Sequence, residues 1–218
     1  MELQEAIKKR QTCRKFRDEP VPDEDIRKIL NAMRLAPSSE NEQNWHFLIV
    51  RNRIFLEHLE KLIAGGMNAL ADEVSEVDPK KGKRFAKFSK LFTLFAFKAP
   101  VLIIIYSRTV PNCATNEYIL LGRPQEMIDE LNVRSNAMMS VGAAIEHGVL
   151  TATELGYGSA FMTSPNFMHE KIENLIAEEL GFSMPGWYLT AFLPVGKPDG
   201  PMKSPNRKPL EELTDVFD

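Results

Sequence analysis

The apolar run Val101–Tyr106 constrains the fold of this chain more than any other stretch of the sequence. It follows Ala99-Pro100 and reads Val-Leu-Ile-Ile-Ile-Tyr, without a charged residue. A short, continuous run of aliphatic and β-branched residues is typical of a strand that is buried on both faces. The run is far too short to cross a bilayer, which takes about 20 residues in a helix. We therefore predict a central, fully buried strand.

Length and composition narrow the class of protein. The chain has 218 residues, which favours a single domain over residues 1–218. Its formal net charge of −3 argues against a nucleic-acid partner, because nucleic-acid-binding domains carry a basic excess. Cys13 and Cys113 lie far apart and in no metal-binding spacing, which favours a reducing compartment and predicts no metal. Without a charged-then-apolar leader, a cytoplasmic protein with no membrane partner is expected.

Other predicted elements follow from hydrophobic spacing, caps and breakers. They are an opening helix up to about Arg10, a helix that Asp23 caps and that stops before Pro37, a strand Trp45–Val50, a helix 54–62 that ends near Gly65-Gly66, a helix from Arg134 to Leu155, a helix that Asn166 caps and that runs through Leu180 to Gly181, and a strand Trp187–Val195. Residues 108–133 are predicted to be loop and short helix. The many small residues of 134–155 place that helix at the centre of the fold or in an interface.

The segment Arg10-Gln11-Thr12-Cys13-Arg14-Lys15-Phe16 is a candidate anion-binding site. If it is extended, Arg10, Thr12 and Arg14 share one side, because side chains alternate along a strand. Two guanidinium groups beside a hydroxyl suit a phosphate or an anionic ring, since arginine offers a rigid fork of donors. The alternative is that these arginines are solvated surface residues.

The loop 37–44 is almost wholly polar. Ser38, Ser39, Asn41 and Gln43 present small donors and acceptors with little bulk. Such a surface can lie against a heteroaromatic ligand and match its edges with hydrogen bonds. A solvent-facing turn is the alternative interpretation.

These two motifs, in this order and spacing, resemble the nitroreductase family of FMN-dependent oxidoreductases. The family pattern is roughly R-R-S-x-R-x-F followed by A-P-S-S-x-N-x-Q-P-W-x-F, and this chain has RQTCRKF and APSSENEQNWHF. Gln11 replaces the second arginine, Thr12 the serine and Asn44 the proline. The threonine keeps the hydroxyl donor.

The resemblance implies a set of FMN-binding residues at the N-terminus. Arg10, Gln11, Thr12 and Arg14 are expected to contact FMN, with Arg10 at the phosphate and Arg14 at the pyrimidine edge. Because family members are homodimers with flavin sites at the interface, the partner subunit is expected to supply four residues of the polar loop. These are Pro37, Ser38, Ser39 and Asn41.

Two later segments complete the implied site. The turn at 156–159 resembles the family's G-x-G-S-x-W-x-G segment, so Met162 and Thr163 are expected to line flavin N5. A backbone N–H there would stabilise charge during hydride transfer. Arg207 and Lys208 are expected to close on the phosphate beside Arg10, whereas a solvated basic tail is the alternative. No triad, general acid or base is recognisable, so no catalytic side chain is assigned.

Residues 65–98 interleave lysines with phenylalanines. This pattern favours an amphipathic helix that packs its aromatic side chains and caps the ligand site. A membrane-surface or nucleic-acid-binding helix is the alternative.

Taken together, the resemblance implies an α+β fold in which helices flank a mostly antiparallel sheet, in a homodimer with a C-terminal extension over 196–218. It implies ping-pong hydride transfer from NADH or NADPH through FMN to a small acceptor such as a nitroaromatic or a quinone. Alternatives are a flavin-binding sensor or storage protein, and a reductive dehalogenase or flavin-consuming enzyme of the same fold. A lid of the right length over 65–98 would favour the reductive dehalogenase or the flavin-consuming enzyme.

Overall fold

The computed structural model describes residues 1–133, 136–202 and 205–217. Its α-helices are α1 Leu3–Lys9, α2 Asp23–Arg34, α3 Arg53–Val77, α4 Pro79–Thr93, α5 Thr115–Leu120, α6 Gln125–Val133, α7 Asn136–Glu154 and α8 His169–Leu180. Its strands are β1 Trp45–Val50, β2 Val101–Ser107, β3 Gly158–Ser159 and β4 Tyr188–Gly196. The predicted helix 134–155 is therefore described as α7, while Arg134 lies outside the described residues.

The sheet is built around β2, as its composition predicts. The strand order is β1-β2-β4-β3, and each neighbouring pair is antiparallel. Ile103 lies opposite Ile49 of β1 and Leu193 of β4. Every residue of β2 is buried, so the prediction of a central strand with two covered faces is confirmed.

The two faces of β2 belong to two hydrophobic cores. Ile103 and Ile105 point into the first core, which α2 and α7 cover. Leu102 and Ile104 point into the second, which α3 and α8 cover. This division follows from the alternation of side chains along a strand. The predicted α+β fold, a mostly antiparallel sheet flanked by helices, is confirmed.

The predicted end of a helix near Gly65-Gly66 is wrong, because α3 continues to Val77. Ile63 and Met67 stay buried across the glycines. The second glycine leaves room for the side chain of Met168, which would overlap an added Cβ. A glycine inside a helix costs about 1 kcal/mol relative to alanine. Full burial of each large apolar side chain contributes roughly 1.5–3 kcal/mol, which outweighs that cost.

Two predicted N-caps are also wrong. Asp23 is the first residue of α2, and the cap position belongs to Pro22, which offers no side-chain acceptor. Asn166 lies in a 3-10 turn before α8, where its side-chain amide donates to the Thr190 carbonyl at 2.6 Å. The predicted C-terminal glycine is confirmed, since Gly181 has a left-handed φ of 63°.

In the predicted cap region 65–98, the second half of α3 and all of α4 form a tight helical hairpin. The Asp78 carboxylate accepts hydrogen bonds from the backbone N–H groups of Lys80 and Lys81, both at 3.0 Å, and so caps α4. Gly82 then brings α4 against Ser75 of α3. Among the described residues, no helix combines the length and apolar composition needed to cross a membrane.

Gly82→Ala is expected to lower the free energy of unfolding. Its Cβ would lie 2.6 Å from the Ala71 carbonyl oxygen and would overlap the Ser75 hydroxyl. Overpacking of this kind costs about 1–3 kcal/mol. Gly65→Ala is the matched control, because an added Cβ there meets nothing within 4 Å. Relief of backbone entropy should make it neutral or stabilising by up to about 1 kcal/mol. Urea denaturation measures both, and similar changes in the two variants would contradict the close α3–α4 contact.

Candidate functional site

The N-terminal segment 10–17 is hydrogen-bonded to β3 and to the residues that follow β4. The Cys13 N–H donates to the Ser159 carbonyl at 2.9 Å, and the Arg17 N–H donates to the Lys197 carbonyl at 2.9 Å. In return the Asp199 N–H donates to the Lys15 carbonyl at 3.0 Å. The segment is therefore held by the strand end at 158–159 and by the chain that leaves β4.

Two glycines make this close approach feasible. A Cβ on Gly158 would lie 2.5 Å from Cys13 Cβ and 2.6 Å from its sulfur. A Cβ on Gly196 would lie 2.6 Å from Pro100 and 3.1 Å from Phe16. The sequence interpretation includes the first glycine in a flavin-site segment but assigns no role to the second. A side chain at Gly158 would push the N-terminal segment off the sheet, whereas a side chain at Gly196 would meet Pro100 first and Phe16 less closely.

The predicted ligand-binding side chains of this segment differ in exposure. Arg10 is partly buried at the C-terminal end of α1, and Arg14 is exposed. Gln11 places Oε1 in a buried position without a hydrogen-bond partner among the described residues. A buried acceptor without a donor is costly, so a ligand N–H or water is the expected partner. Thr12 and Arg14 both line a cavity of about 190 Å³ that extends to Met202.

Cys13 borders the same cavity, and its side chain packs against Gly158. Its side chain is buried, and its S–H donates to the Lys15 carbonyl at 3.0 Å. Burial raises the pKa of the thiol, so the sulfur stays protonated near neutral pH. The residue packs the segment onto the sheet.

The strand end at 162–163 changes one detail of the predicted site. The Met162 N–H donates to the Phe192 carbonyl at 3.0 Å, and the Met162 carbonyl accepts from the Phe192 N–H at 2.8 Å. Met162 therefore has no backbone donor left for a ligand. The Thr163 N–H has no acceptor within the described part of the chain. Its φ of −127° suits any residue, so the family's glycine is not required here.

The predicted cap region 65–98 brings aromatic side chains beside the N-terminal segment. The Arg14 guanidinium lies 5.1 Å from the ring centre of Phe92 and 5.9 Å from that of Phe95. The buried Thr93 hydroxyl donates to the Ser164 hydroxyl at 2.8 Å. The end of α4 is thus tied both to the N-terminal segment and to the residue that follows Thr163. The basic aromatic pattern of 65–98 predicts a cap over the ligand site, but it does not assign individual residues to that site.

The polar loop 37–44 adopts an unusual backbone. Glu40, Asn41 and Gln43 have φ values of 52°, 56° and 44°, in the left-handed region that non-glycine residues rarely adopt. The Gln43 N–H donates to the Ser38 hydroxyl at 3.0 Å. Backbone strain of this kind persists only where the surroundings fix it, and it concentrates at functional sites.

The same loop borders a separate cavity. Pro37, Ser38 and Ser39 line about 330 Å³ together with Met139 and Ser140 of α7. The Ser39 N–H donates to the Ser140 hydroxyl at 3.3 Å. Within the residues that the structure describes, no hydrogen bond or ion pair joins this loop to segment 10–14 of the same chain.

Asn44 anchors the loop, a role that the sequence interpretation did not assign. The residue is fully buried, and its side-chain amide donates to the Ser107 hydroxyl at 2.9 Å and to the Ala137 carbonyl at 3.2 Å. The Ser107 hydroxyl donates back to the Asn44 carbonyl at 2.7 Å. Where the family pattern has proline, this chain therefore fixes the loop to β2 and α7 by hydrogen bonds.

Asn44→Ala is expected to destabilise the protein by about 1–3 kcal/mol, because it removes the two buried hydrogen bonds from the Asn44 amide to the Ser107 hydroxyl and the Ala137 carbonyl. Thermal or urea unfolding measures the change. Glu57→Ala is the control, since Glu57 is exposed on α3 and its side chain makes no hydrogen bond among the described residues. Equal stability of the two variants would contradict the anchoring role of Asn44.

Lys197, which follows β4, makes a further contact that supports segment 10–17. The Lys197 ammonium lies 4.0 Å from the ring centre of Tyr157, and the Tyr157 hydroxyl donates to the Asp25 carboxylate at 2.7 Å. Burial and the neighbouring carboxylate raise the pKa of Tyr157 to about 12. The tyrosine therefore remains a neutral donor, and it links α2 to the residues that hold segment 10–17.

The predicted contribution of the C-terminal tail stays a prediction. Arg207 and Lys208 are exposed, and neither forms a hydrogen bond or ion pair with the rest of the described chain. Residues 203–204 and 218 of the predicted extension 196–218 lie outside the described residues. The described residues also contain no group of His, Cys, Asp and Glu side chains that could hold a metal ion.

Comparison with known proteins supplies a family. The sequence model described as "Nitroreductase family" matches residues 7–197. A relative from Archaeoglobus fulgidus, named "Putative NADH dehydrogenase/NAD(P)H nitroreductase", is 42% identical over 85 residues, which are 38% of this chain and 49% of the relative. That match spans about half the length of the curated relative.

Two solved structures are similar along nearly their whole length. A BluB-like flavoprotein from Clostridium difficile 630 is 41% identical, with all of both chains covered and a TM-score of 0.96. An iodotyrosine deiodinase bound to FMN and 3-iodo-L-tyrosine is 25% identical, with 95% of this chain and 96% of the other covered and a TM-score of 0.66.

Proposed function

The chain belongs to the nitroreductase family, and we propose that it is an FMN-dependent oxidoreductase that takes reducing equivalents from NADH or NADPH. The proposed acceptor is a small organic molecule such as a nitroaromatic or a quinone. One observation carries the proposal. The segment with Arg10, Gln11, Thr12 and Arg14 is fastened by backbone hydrogen bonds to the strand end that leads to Thr163.

The residues at this junction fit FMN. Gln11 offers a buried oxygen that lacks a partner among the described residues, which suits a flavin N–H. Arg10 and Arg14 offer cationic forks for the phosphate and for the pyrimidine carbonyls. The solved deiodinase relative contains FMN, and the flavoprotein from Clostridium difficile matches this chain over its full length.

When bound, FMN supplies reversible hydride transfer at N5. We assign the Thr163 N–H as the donor toward N5, because Met162 uses its own N–H in the bridge to Phe192. A fixed donor at that point stabilises charge as it develops. The remaining protein groups bind and orient the ligand, and no side chain is required as an acid, base or nucleophile.

We further propose that a second copy of the chain completes the site. In one chain the loop 37–41 and the segment 10–14 are not hydrogen-bonded to each other within the described residues. The loop also borders a cavity beside the exposed Met139 of α7. A partner subunit that offers Pro37, Ser38, Ser39 and Asn41 would bring the two halves together. On the same proposal, Arg207 and Lys208 close on the phosphate.

The absorbance spectrum of the purified protein tests the proposal. A flavin spectrum is expected, either as purified or after addition of FMN, and anaerobic NADH or NADPH should bleach it. Re-oxidation by a quinone should then restore it. A protein that shows no flavin spectrum and takes up no added FMN would contradict the proposal. Bound FMN that neither nicotinamide reduces would favour a storage or sensor role.

A second candidate is reductive dehalogenation. Two observations favour it: the helical hairpin α3–α4 whose end lies at Arg14, and the similarity to a deiodinase bound to 3-iodo-L-tyrosine over 95% of this chain. The chemically reduced, FMN-loaded protein should then release iodide from 3-iodo-L-tyrosine and re-oxidise its flavin. Flavin re-oxidation by quinones but not by iodotyrosine would dismiss this candidate.

A further inference from the structure

Helix α4 is strongly cationic in a chain that carries a net negative charge. Its sequence, PKKGKRFAKFSKLFT, has six lysines or arginines and no acidic residue, whereas the whole chain has a net charge of −3. Only Lys81 forms an ion pair among the described residues, with the capping Asp78 at 3.7 Å. The neighbouring helix α3 carries Asp72, Glu73 and Glu76, but within the described part of the chain none of them forms an ion pair with α4. The charge of α4 is therefore largely uncompensated.

The same helix exposes aromatic rings. Phe88 and Phe92 are 44% and 45% exposed, and their rings stack with centres 6.0 Å apart and an interplanar angle of 3°. Leu91 beside them is 58% exposed. The Arg84 guanidinium lies 5.7 Å from the ring centre of Phe88. Contiguous exposed apolar surface next to unpaired charge is characteristic of a binding surface.

This surface begins at the candidate flavin site. Phe92 contacts the Arg14 guanidinium, and the next residue, Thr93, is hydrogen-bonded to Ser164. From there the exposed rings continue along α4 toward Phe88 and Arg84. A molecule that reacts at the site therefore lies beside Phe92 and within the electrostatic field of the cations of α4.

We propose that α4 binds the acceptor of the proposed reaction and selects planar aromatic acceptors that carry a carboxylate. The inference rests on the proposed function and specifies its substrate class. The rings of Phe88 and Phe92 give the aromatic part of the acceptor a stacking surface. The cations Arg84, Lys87 and Lys90 attract its carboxylate, and Arg14 adds positive charge at the inner end.

Nitrobenzoate is a suitable probe, since it combines a reducible group with a carboxylate. NAD(P)H gives up one hydride, and the nitro group gains two electrons and two protons, one of them from solvent. It loses water and becomes a nitroso group. The neutral 4-nitrobenzyl alcohol undergoes the same step without the charge, so the ratio of the two kcat/KM values isolates the electrostatic contribution.

The experiment compares the FMN-loaded wild type with the triple variant Arg84→Gln, Lys87→Gln, Lys90→Gln. We expect the wild type to have a higher kcat/KM for 4-nitrobenzoate than for 4-nitrobenzyl alcohol. In the variant this ratio should fall roughly five- to tenfold, a size that a few solvent-exposed charge pairs can account for. The preference of the wild type should also fall as salt is raised. Lys61→Gln is the control, because this exposed lysine lies on α3; its ratio should equal that of the wild type.

A measurement without turnover separates binding from chemistry. Isothermal titration of the FMN-loaded protein with the non-reducible 4-hydroxybenzoate should show binding that the triple variant weakens by a similar factor. Equal kcat/KM for the two nitro compounds in a protein that reduces quinones would overturn this inference and leave the proposed function intact. Absence of FMN binding would overturn both. Binding of α4 to anionic vesicles or DNA, together with no acceptor preference, would instead assign the surface to a macromolecule.

Discussion

Arg10→Ala is expected to weaken FMN binding by about 10- to 100-fold. A hydrogen bond to a charged group contributes roughly 1.5–3 kcal/mol, and every 1.4 kcal/mol is about a factor of ten in affinity. Arg10 lies where α1 ends and segment 10–17 begins, so its substitution should remove the proposed phosphate contact without disturbing a core residue. Fluorescence titration of the apoprotein with FMN measures the change.

The matched control for Arg10 lies on the same segment. Arg17 is exposed and pairs only with Glu19 at 3.4 Å among the described residues, while its backbone N–H makes the structural hydrogen bond to Lys197. Arg17→Ala keeps that hydrogen bond and should bind FMN like the wild type. Equal FMN affinities of the Arg10 variant and the wild type would remove Arg10 from the site.

Gly158→Ala is expected to impair both folding and FMN binding. The new Cβ would lie 2.5 Å from Cys13 Cβ, an atom that cannot move without its backbone. Either segment 10–17 lifts from Ser159 or the strand end shifts, at a cost of about 1–3 kcal/mol. Because the predicted FMN ligands lie on that segment, we expect the FMN affinity to fall by at least about tenfold.

Gly65→Ala controls for the loss of a glycine as such. Gly65 lies in α3, and an added Cβ there meets nothing within 4 Å, so stability should be unchanged or slightly higher. FMN titration and urea unfolding of both variants give the comparison. Wild-type FMN affinity in the Gly158 variant would show that the contact between the segment and the strand end does not form the site.

How far the sequence predicts the fold depends on how local each signal is. The strand β2 is predictable, because every one of its residues is buried and nearly all are apolar. The length of α3 is not, since Gly65-Gly66 looks like a breaker until the packing of Met67 and the space needed by Met168 are known. The prediction of an Asn166 N-cap is wrong for a similar reason. Its side-chain amide donates to the carbonyl of Thr190, a residue distant in sequence.

The candidate site shows the same division. The motif arginines are recognisable as a pattern, and the structure fastens their segment to the predicted strand end. Asn44 could not be assigned, because its partners Ser107 and Ala137 come from β2 and α7. The use of the Met162 N–H by Phe192 is likewise invisible to motif comparison. Long-range contacts decide which donors remain available to a ligand.

Helix α4 is predictable from the sequence only in part. Its basic and aromatic pattern predicts an amphipathic helix, which the structure contains. The contact between Phe92 and Arg14 joins residues that are far apart in the chain, so no periodicity could reveal it. That contact places the end of α4 beside the N-terminal segment, where a cap over the ligand site would have to lie.

The most direct test of the account compares FMN with riboflavin, which lacks the phosphate. Titration of the purified apoprotein with each should give one FMN per chain, bound at least about tenfold more tightly than riboflavin, as expected for a charge-assisted phosphate contact. Absence of FMN binding, or equal affinity for the two flavins, would contradict the claim that Arg10 and the fastened N-terminal segment form a flavin phosphate site.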